Sequence, residues 1–199
     1  MKMKKTNYLV IILTGTLIAT NPVIAQKDSS GIYKTANDFK QRKLSYAINC
    51  KTEKHKINPS VIFKGSEVKV KHDGTTYNLK KSEVFGYRTC AGKEYRFVDD
   101  KEYSILNPGE SLVIYMYQHP AHTGKEINKG MYQPQYYFTT DAAASLQDLT
   151  KAKLKAAYTG NHKLHDALDA AFNEDAELYT YDSFHKMYKL NWIIKSNVN

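Results

Sequence analysis

Hydrophobic and polar residues alternate with a period of two through residues 31–140, and this pattern predicts a series of antiparallel hairpins. The clearest hairpin runs from Val68 to Leu79 and turns at Asp73-Gly74, a strong two-residue turn signal. That turn sets Val68 opposite Leu79 and gives the hairpin one apolar face and one polar face. The apolar face is expected to pack on a core.

A second hairpin is predicted where two tyrosine-rich segments meet at a glycine. A three-residue loop ending at Gly92 pairs Tyr87 with Tyr95 and Arg88 with Glu94, so that rings face rings and opposite charges face each other. This register is more favourable than the register that a two-residue turn would give.

The third hairpin turns at 107–110, where Pro and Gly are suited to a tight turn. It leads into residues 112–117, which are apolar at every position. Such a strand is buried on both faces, so other elements must cover it. A further strand is predicted at 135–139.

Near residue 140 the period changes from two to 3.6, which predicts helices over 141–185. Thr150 is a suitable N-cap for the first helix and Asn161 for the second. The alternation over 188–195 predicts a final strand, and a helix over 183–188 is expected before it. The apolar stripe of the second helix consists of Leu164, Ala167, Leu168, Ala171 and Phe172.

These elements define an α+β fold of one domain over residues 26–199. We expect a twisted antiparallel β-sheet built from hairpins, with a C-terminal helix pair packed on one face. Residues 31–140 are mainly β and residues 141–185 mainly helical.

The first 25 residues resemble a cleavable secretory signal peptide. Three lysines precede an apolar segment at 8–20, Asn21-Pro22 interrupts it, and Ala25 ends a small-residue cleavage site before Gln26. The alternative, an uncleaved anchor, needs about 20 apolar residues. We therefore expect an exported protein, periplasmic or secreted, with no transmembrane anchor after cleavage.

Export changes how the two cysteines and the charge are interpreted. In an oxidising compartment the isolated pair Cys50 and Cys90 favours a disulfide bond, although two unpaired thiols remain an alternative. The net charge is +8 over residues 26–82 and −2 over 83–199. Outside the cytoplasm a basic segment suits an anionic envelope polymer rather than nucleic acid. The candidate lysines are Lys69, Lys71 and Lys80 on the polar face of the first hairpin.

Short catalytic signatures are absent from the sequence, which leaves three candidate sites. One face of the second helix has nitrogen and oxygen ligands that suit a divalent metal. Its residues are His162, His165, Asp166 and Asp169. Solvated ion pairs explain the same spacing, so no cofactor is expected and a divalent metal is the alternative.

The segment containing His119 and His122 follows the most apolar strand, where a loop displays ligands or a general base. Exposed tyrosines that stack on sugars are expected at Tyr132, Tyr136 and Tyr137.

Several motifs resemble a pattern found in exported Gram-negative bacterial proteins of uncharacterised function. They are G-I-Y-K-T-x-x-D-F at 31–39, K-S-E-V-F-G-Y-R at 81–88 and Y-R-F at 95–97. Similar chains carry an N-H-K-L-H-D-like stretch and a Y-K-L-N-like ending. The resemblance spans most of the mature chain and implies export and a single domain, with no activity or ligand to transfer.

The sequence therefore favours a non-catalytic envelope or secreted binding module. Its partner would be an anionic envelope polymer, a glycan or another exported protein. The alternative is a hydrolase, metal-assisted or not, that uses histidines of the 119–122 loop or the 162–169 helix face. A third hypothesis is an assembly partner whose sheet edge pairs with another chain.

Overall fold

A computed structural model describes residues 28–53, 56–59, 65–119 and 133–198 of the chain. The expected leader, residues 1–25, lies outside these ranges. None of the helices in the described ranges is long and apolar enough to cross a membrane.

The described chain contains strands and short helices in an order that matches the α+β prediction. In chain order the strands are β1 (Ser29–Tyr33), β2 (Ser45–Asn49), β3 (Lys56–Asn58), β4 (Glu67–His72), β5 (Thr75–Lys80), β6 (Gly86–Arg88), β7 (Glu94–Val98), β8 (Lys101–Ile105), β9 (Val113–Tyr117), β10 (Gln135–Thr139), β11 (Gln147–Asp148), β12 (Tyr181–Asp182) and β13 (Met187–Tyr188). The α-helices are α1 (Ala36–Lys40), α2 (Lys151–Ala157), α3 (His162–Ala171) and α4 (Lys189–Asn197), and 3₁₀ turns lie at Lys81–Glu83 and Asp175–Glu177.

Eight of the described strands form one antiparallel sheet in the order β11-β10-β9-β8-β7-β6-β1-β2. The predicted registers are present: Tyr87 pairs with Tyr95, and Arg88 pairs with Glu94. The second and third predicted hairpins therefore form the centre of this sheet.

Strands β3, β4 and β5 form a separate small sheet that packs on the large one. Val68 pairs with Leu79 as predicted, and the turn residues Asp73 and Gly74 have positive φ angles of 48° and 76°. These angles suit the tight turn that matches strand twist. Val68 is fully buried against the large sheet, so the apolar face of the hairpin supplies core as expected.

The C-terminal helices cover the other end of the same sheet face. Paired residues of an antiparallel sheet point to the same side, and Tyr87, Tyr95, Ser104, Met116 and Tyr136 form one row across five strands. The small sheet packs near the Tyr87 end and the helices near the Tyr136 end. The core of the helical end consists of Leu112, Ile114, Phe138, Leu149, Leu154, Leu164, Leu168, Phe172, Leu178, Leu190, Ile193 and Ile194.

Helices α2 and α3 are the predicted pair. Thr150 and Asn161 cap them through their side chains, which accept hydrogen bonds from the backbone N–H groups of Lys153 and Leu164. The apolar stripe of α3 faces the sheet as predicted.

The predicted strand over 188–195 is wrong, because this segment forms helix α4. The segment satisfies both periods: it alternates, and Leu190, Ile193 and Ile194 also recur at helical spacing. The helical period prevails because it places all three on the core of the helical end. The helix expected over 183–188 is also wrong, since these residues belong to the turn and second strand of the β12–β13 hairpin.

Helix α1 packs on the opposite face of the large sheet, which we call the α1 face. Thr35 and Asp38 form a capping box at the start of α1, and Phe39 stacks on Phe85 with ring centroids 4.9 Å apart. The core beneath it includes Tyr33 and Tyr115, both fully buried.

A disulfide bond joins Cys50 to Cys90, with their Cα atoms 5.6 Å apart. The bond ties the end of β2 to the turn between β6 and β7. The sequence favoured this bond but left two unpaired thiols as an alternative, and the structure confirms the bond.

Candidate functional site

Three tyrosines form a contiguous cluster at one end of the α1 face. Tyr103, Tyr117 and Tyr137 come from the adjacent strands β8, β9 and β10. The ring centroid of Tyr103 lies 5.2 Å from that of Tyr117 and 5.5 Å from that of Tyr137. Tyr103 is buried and forms the floor, while Tyr117 and Tyr137 are half-buried and reach solvent. We call these three residues the tyrosine cluster.

Polar groups surround the tyrosine cluster. The ammonium of Lys101 lies 5.4 Å from the ring centroid of Tyr117. The hydroxyl of Tyr137 donates a 2.9 Å hydrogen bond to Oε1 of Gln135. The arrangement combines aromatic surface with a cation, an amide and hydroxyl groups, which is how sites for polar organic ligands are lined.

Burial raises the pKa of each tyrosine hydroxyl in the cluster above its ordinary value of 10.0. Desolvation, reinforced by its neighbours Tyr137 and Tyr117, raises the pKa of Tyr103 to about 12. Burial also raises the pKa of Tyr117 and of Tyr137. All three hydroxyls are therefore hydrogen-bond donors at physiological pH, and none is a phenolate nucleophile.

A buried charge cluster lies farther along the α1 face. Glu94 is 2 % exposed and is held by two guanidinium groups, those of Arg42 and Arg88. Arg42 donates from Nη1 to Oε2 at 2.8 Å and from Nη2 to Oε1, while Arg88 donates from Nη1 to Oε1 at 2.6 Å. The sequence predicted the Arg88–Glu94 pair but gave no indication of Arg42, which reaches Glu94 from the loop after α1.

A second polar cluster is buried on the other face of the sheet. The hydroxyl of Tyr87 donates a 2.8 Å hydrogen bond to Glu102, and the ammonium of Lys81 donates to the carbonyl oxygen of Asp100 at 3.1 Å. Burial raises the pKa of Glu102 and lowers the pKa of Lys81. Because Lys81 and Tyr87 are buried beside the core, this cluster fits a structural role in fastening the connection from β5 to the large sheet.

The structure does not assemble the proposed metal ligands of α3 into a site. Nε2 of His165 lies 3.1 Å from the carbonyl oxygens of Lys155 and Tyr158. Asp169 pairs with Lys155 and Lys151, and this hydrogen bonding keeps the pKa of its carboxyl low. His162 and Asp166 are exposed on the helix surface. Within the described ranges no group of three or more His, Cys, Asp or Glu side chains is arranged to hold a metal.

The predicted binding residues fall in different places. Tyr137 belongs to the tyrosine cluster, whereas the ring of Tyr136 lies on the opposite sheet face and stacks on Tyr179 with centroids 3.7 Å apart. His119 follows β9, with its ring centroid 6.1 Å from that of Tyr117. His122 and Tyr132 lie outside the described residues.

The candidate lysines lie on the outward face of the small sheet. Lys69 and Lys71 are exposed and pair across the hairpin with the polar residues Asn78 and Thr76. Lys80 forms an ion pair with Glu83, so part of its charge is compensated.

Exposed aromatic side chains occur on the C-terminal hairpin and α4. Phe184 is 86 % exposed, Tyr181 56 % and Trp192 41 %. Helix α4 turns Trp192 outward, where its ring stacks on that of His185 with centroids 4.6 Å apart.

No family model, curated protein or solved structure matches this chain.

Proposed function

We propose that this chain is an exported, non-catalytic module that binds a glycan polymer through the tyrosine cluster. The cluster carries the proposal because Tyr103, Tyr117 and Tyr137 form one continuous aromatic surface at an accessible end of the sheet. Aromatic faces cover the apolar C–H surface of a sugar, and a few polar groups then fix its orientation. Lys101 and Gln135 are placed to supply those groups.

The compartment is part of the proposal. The Cys50–Cys90 bond is of the kind that persists in oxidising compartments such as the periplasm or the extracellular medium. Residues 1–25 have the order of charge, apolar segment and cleavage site that export requires. Peptidoglycan and surface polysaccharide are the glycans available there to a bacterial protein.

Binding to peptidoglycan sacculi and to a glycan array tests the proposal. We expect Tyr117→Ala to weaken binding by about tenfold or more, since loss of one stacking ring removes about 1.4 kcal/mol. Tyr137→Phe keeps the ring and removes one hydroxyl, so a smaller loss is expected. Tyr181→Ala is the matched control, because Tyr181 is an exposed tyrosine of the C-terminal hairpin.

The proposal fails if the folded wild-type protein binds none of these glycans, or if Tyr117→Ala binds them as well as the wild type does. Circular dichroism of each variant separates loss of binding from loss of fold.

An anionic polymer adds a second contact in a variant of this proposal. Lys69 and Lys71 project from the small sheet and would attract such a polymer over a distance of about a Debye length. Simultaneous replacement of Lys69, Lys71 and Lys80 by Ala is then expected to weaken binding at low salt. Binding that survives this triple replacement removes the electrostatic contribution and leaves the tyrosine cluster as the site.

The alternative function is a hydrolase, and the candidate histidine and carboxylate of the helix face are engaged elsewhere. The helix-face histidine His165 is directed at backbone carbonyls, and Asp169 is engaged by lysines. Part of the other candidate segment lies outside the described residues.

A further inference from the structure

A cleft of about 420 Å³ opens on the α1 side of the molecule, and its lining includes none of the three residues of the tyrosine cluster. It lies between α1, the turn from β8 to β9 and the segment after β10. Its volume falls within the range of small-molecule sites. The residues that line it are Phe39, Lys40, Arg42, Gly109, Glu110, Ser111, Val113, Thr140, Asp141 and Ala142.

Arg42 is the fixed cation of this cleft. Both of its terminal nitrogens donate to Glu94, and its guanidinium lies 5.6 Å from the ring centroid of Phe39. Its backbone is left-handed, with φ of 58°, a conformation that a residue with a side chain adopts only where its surroundings hold it. The guanidinium therefore needs little ordering when a ligand arrives.

Arg42 also retains donors for a ligand. A guanidinium has five N–H groups, and end-on pairing with one carboxylate occupies one on each terminal nitrogen. The Nε–H and a neighbouring Nη–H then remain side by side, in the geometry that donates two hydrogen bonds to a second carboxylate. The Arg42 side chain is 30 % exposed and lines the cleft.

Charge at the cleft favours an anion. Glu94 is shared between Arg42 and Arg88, so two guanidinium charges face one carboxylate. The other charged residues of the lining are each paired with an opposite charge, Lys40 with Asp141 and Glu110 with Lys195. The group formed by Arg42, Glu94 and Arg88 therefore carries one net positive charge, and Arg42 is its member that lines the cleft.

The floor of the cleft is apolar. Phe39, Val113 and Ala142 are all buried core residues that also line the cavity. We propose that the cleft binds a small organic carboxylate with an apolar body, the carboxylate on Arg42 and the body against Phe39 and Val113. This proposal is independent of glycan binding at the tyrosine cluster.

Hydrocinnamate and its alcohol analogue are suitable probes, because they share the apolar body and differ in the charged group. Calorimetry with the full mature protein is expected to show binding of hydrocinnamate, and binding of the alcohol weaker by about tenfold or more. Inorganic phosphate is a third probe. If phosphate bound with the same affinity as hydrocinnamate, the cleft would recognise charge alone. That result would overturn the role of the apolar floor.

Ser111→Trp tests the location without touching the arginine or its partner. Ser111 is exposed at the rim of the cleft, and an indole there should block entry and abolish hydrocinnamate binding. Thr76→Trp is the control, since Thr76 is an exposed residue of the small sheet. Glycan binding should be the same for both variants, which separates failure of this proposal from failure of the previous one.

Besides the phosphate result, three results would overturn the proposal: no heat of binding with hydrocinnamate, equal affinity for the acid and the alcohol, or unchanged affinity in folded Ser111→Trp. Arg42→Lys adds a readout of geometry, because lysine keeps the charge without the planar pair of donors. We expect at least a tenfold loss of affinity for that variant.

Discussion

Asn107 and Asn191 share a 2.8 Å hydrogen bond inside the fold, although 84 residues separate them in sequence. Asn191 also donates to the carbonyl oxygen of Leu112 at 2.8 Å, and Asn107 accepts from the N–H of Ile114 at 2.6 Å. Both asparagines are buried. The network joins α4 to the start of β9 and satisfies backbone groups that the tight turn leaves unpaired.

The first prediction concerns this network. Asn191→Leu keeps the approximate volume and removes both hydrogen bonds, leaving an Asn107 N–H without that acceptor. We expect the free energy of unfolding to fall by about 1–3 kcal/mol, the cost of leaving buried polar groups unsatisfied. Urea unfolding measures it. Asn37→Leu, an exposed helical position, is the control and should change stability much less.

The second prediction concerns the shared carboxylate. Glu94→Gln preserves shape but leaves Arg42 and Arg88 facing each other without a counter-charge. We expect the free energy of unfolding to fall by about 3 kcal/mol. This is the lower end of the cost of breaking a buried ion pair, because Arg42 is partly exposed. The exposed pair Lys40–Asp141 provides the comparison, since removal of Lys40 should have little effect. Equal effects of the two changes would contradict the interpretation.

The third prediction concerns the disulfide bond. The bond links residues 40 apart, and the chain-entropy model assigns about 4 kcal/mol to a loop of this length. Replacement of both Cys50 and Cys90 by Ser should lower the denaturation midpoint. A reducing agent should do the same to the wild type and have no further effect on the double variant. A midpoint that does not respond to reduction would show that the bond adds no stability.

The fourth prediction concerns pH. Burial raises the pKa of Glu102 above its ordinary value of 4.5, opposed by the Tyr87 hydrogen bond and Lys81. Between the unfolded and folded pKa values the folded state binds the additional proton, so stability rises as pH falls through this window. Wild type should therefore gain stability relative to Glu102→Gln as pH falls from neutrality towards 4.5.

Urea unfolding across that pH range checks the sign. Glu174→Gln, a change at an exposed carboxylate, controls for the loss of one surface charge. A difference between wild type and Glu102→Gln that is constant with pH would contradict the assignment.

The hairpins were predictable because their information is local. The turn at Asp73-Gly74 and the loop ending at Gly92 each fix a register, and that register determines which side chains share a face. The same holds for the helix caps Thr150 and Asn161, whose capping hydrogen bonds come from backbone N–H groups three residues along the chain.

Features that depend on distant residues were not predictable. Residues 189–197 fit two periods, and only the core formed by other elements selects the helix. Arg42 reaches Glu94 across 52 residues, and the tyrosine cluster forms only when β8, β9 and β10 lie side by side. The sequence therefore predicted only one residue of the tyrosine cluster, Tyr137. The other two residues join it through the order of the strands in the sheet.

The bond between Cys50 and Cys90 also closes a covalent ring around the small sheet, since β3, β4 and β5 all lie between the two cysteines. A protease that cuts once inside this ring does not separate the molecule into two pieces. The nicked chain would stay in one piece on a non-reducing gel and would separate only after a reductant is added. A single cut within this ring therefore leaves the two parts of the chain covalently joined.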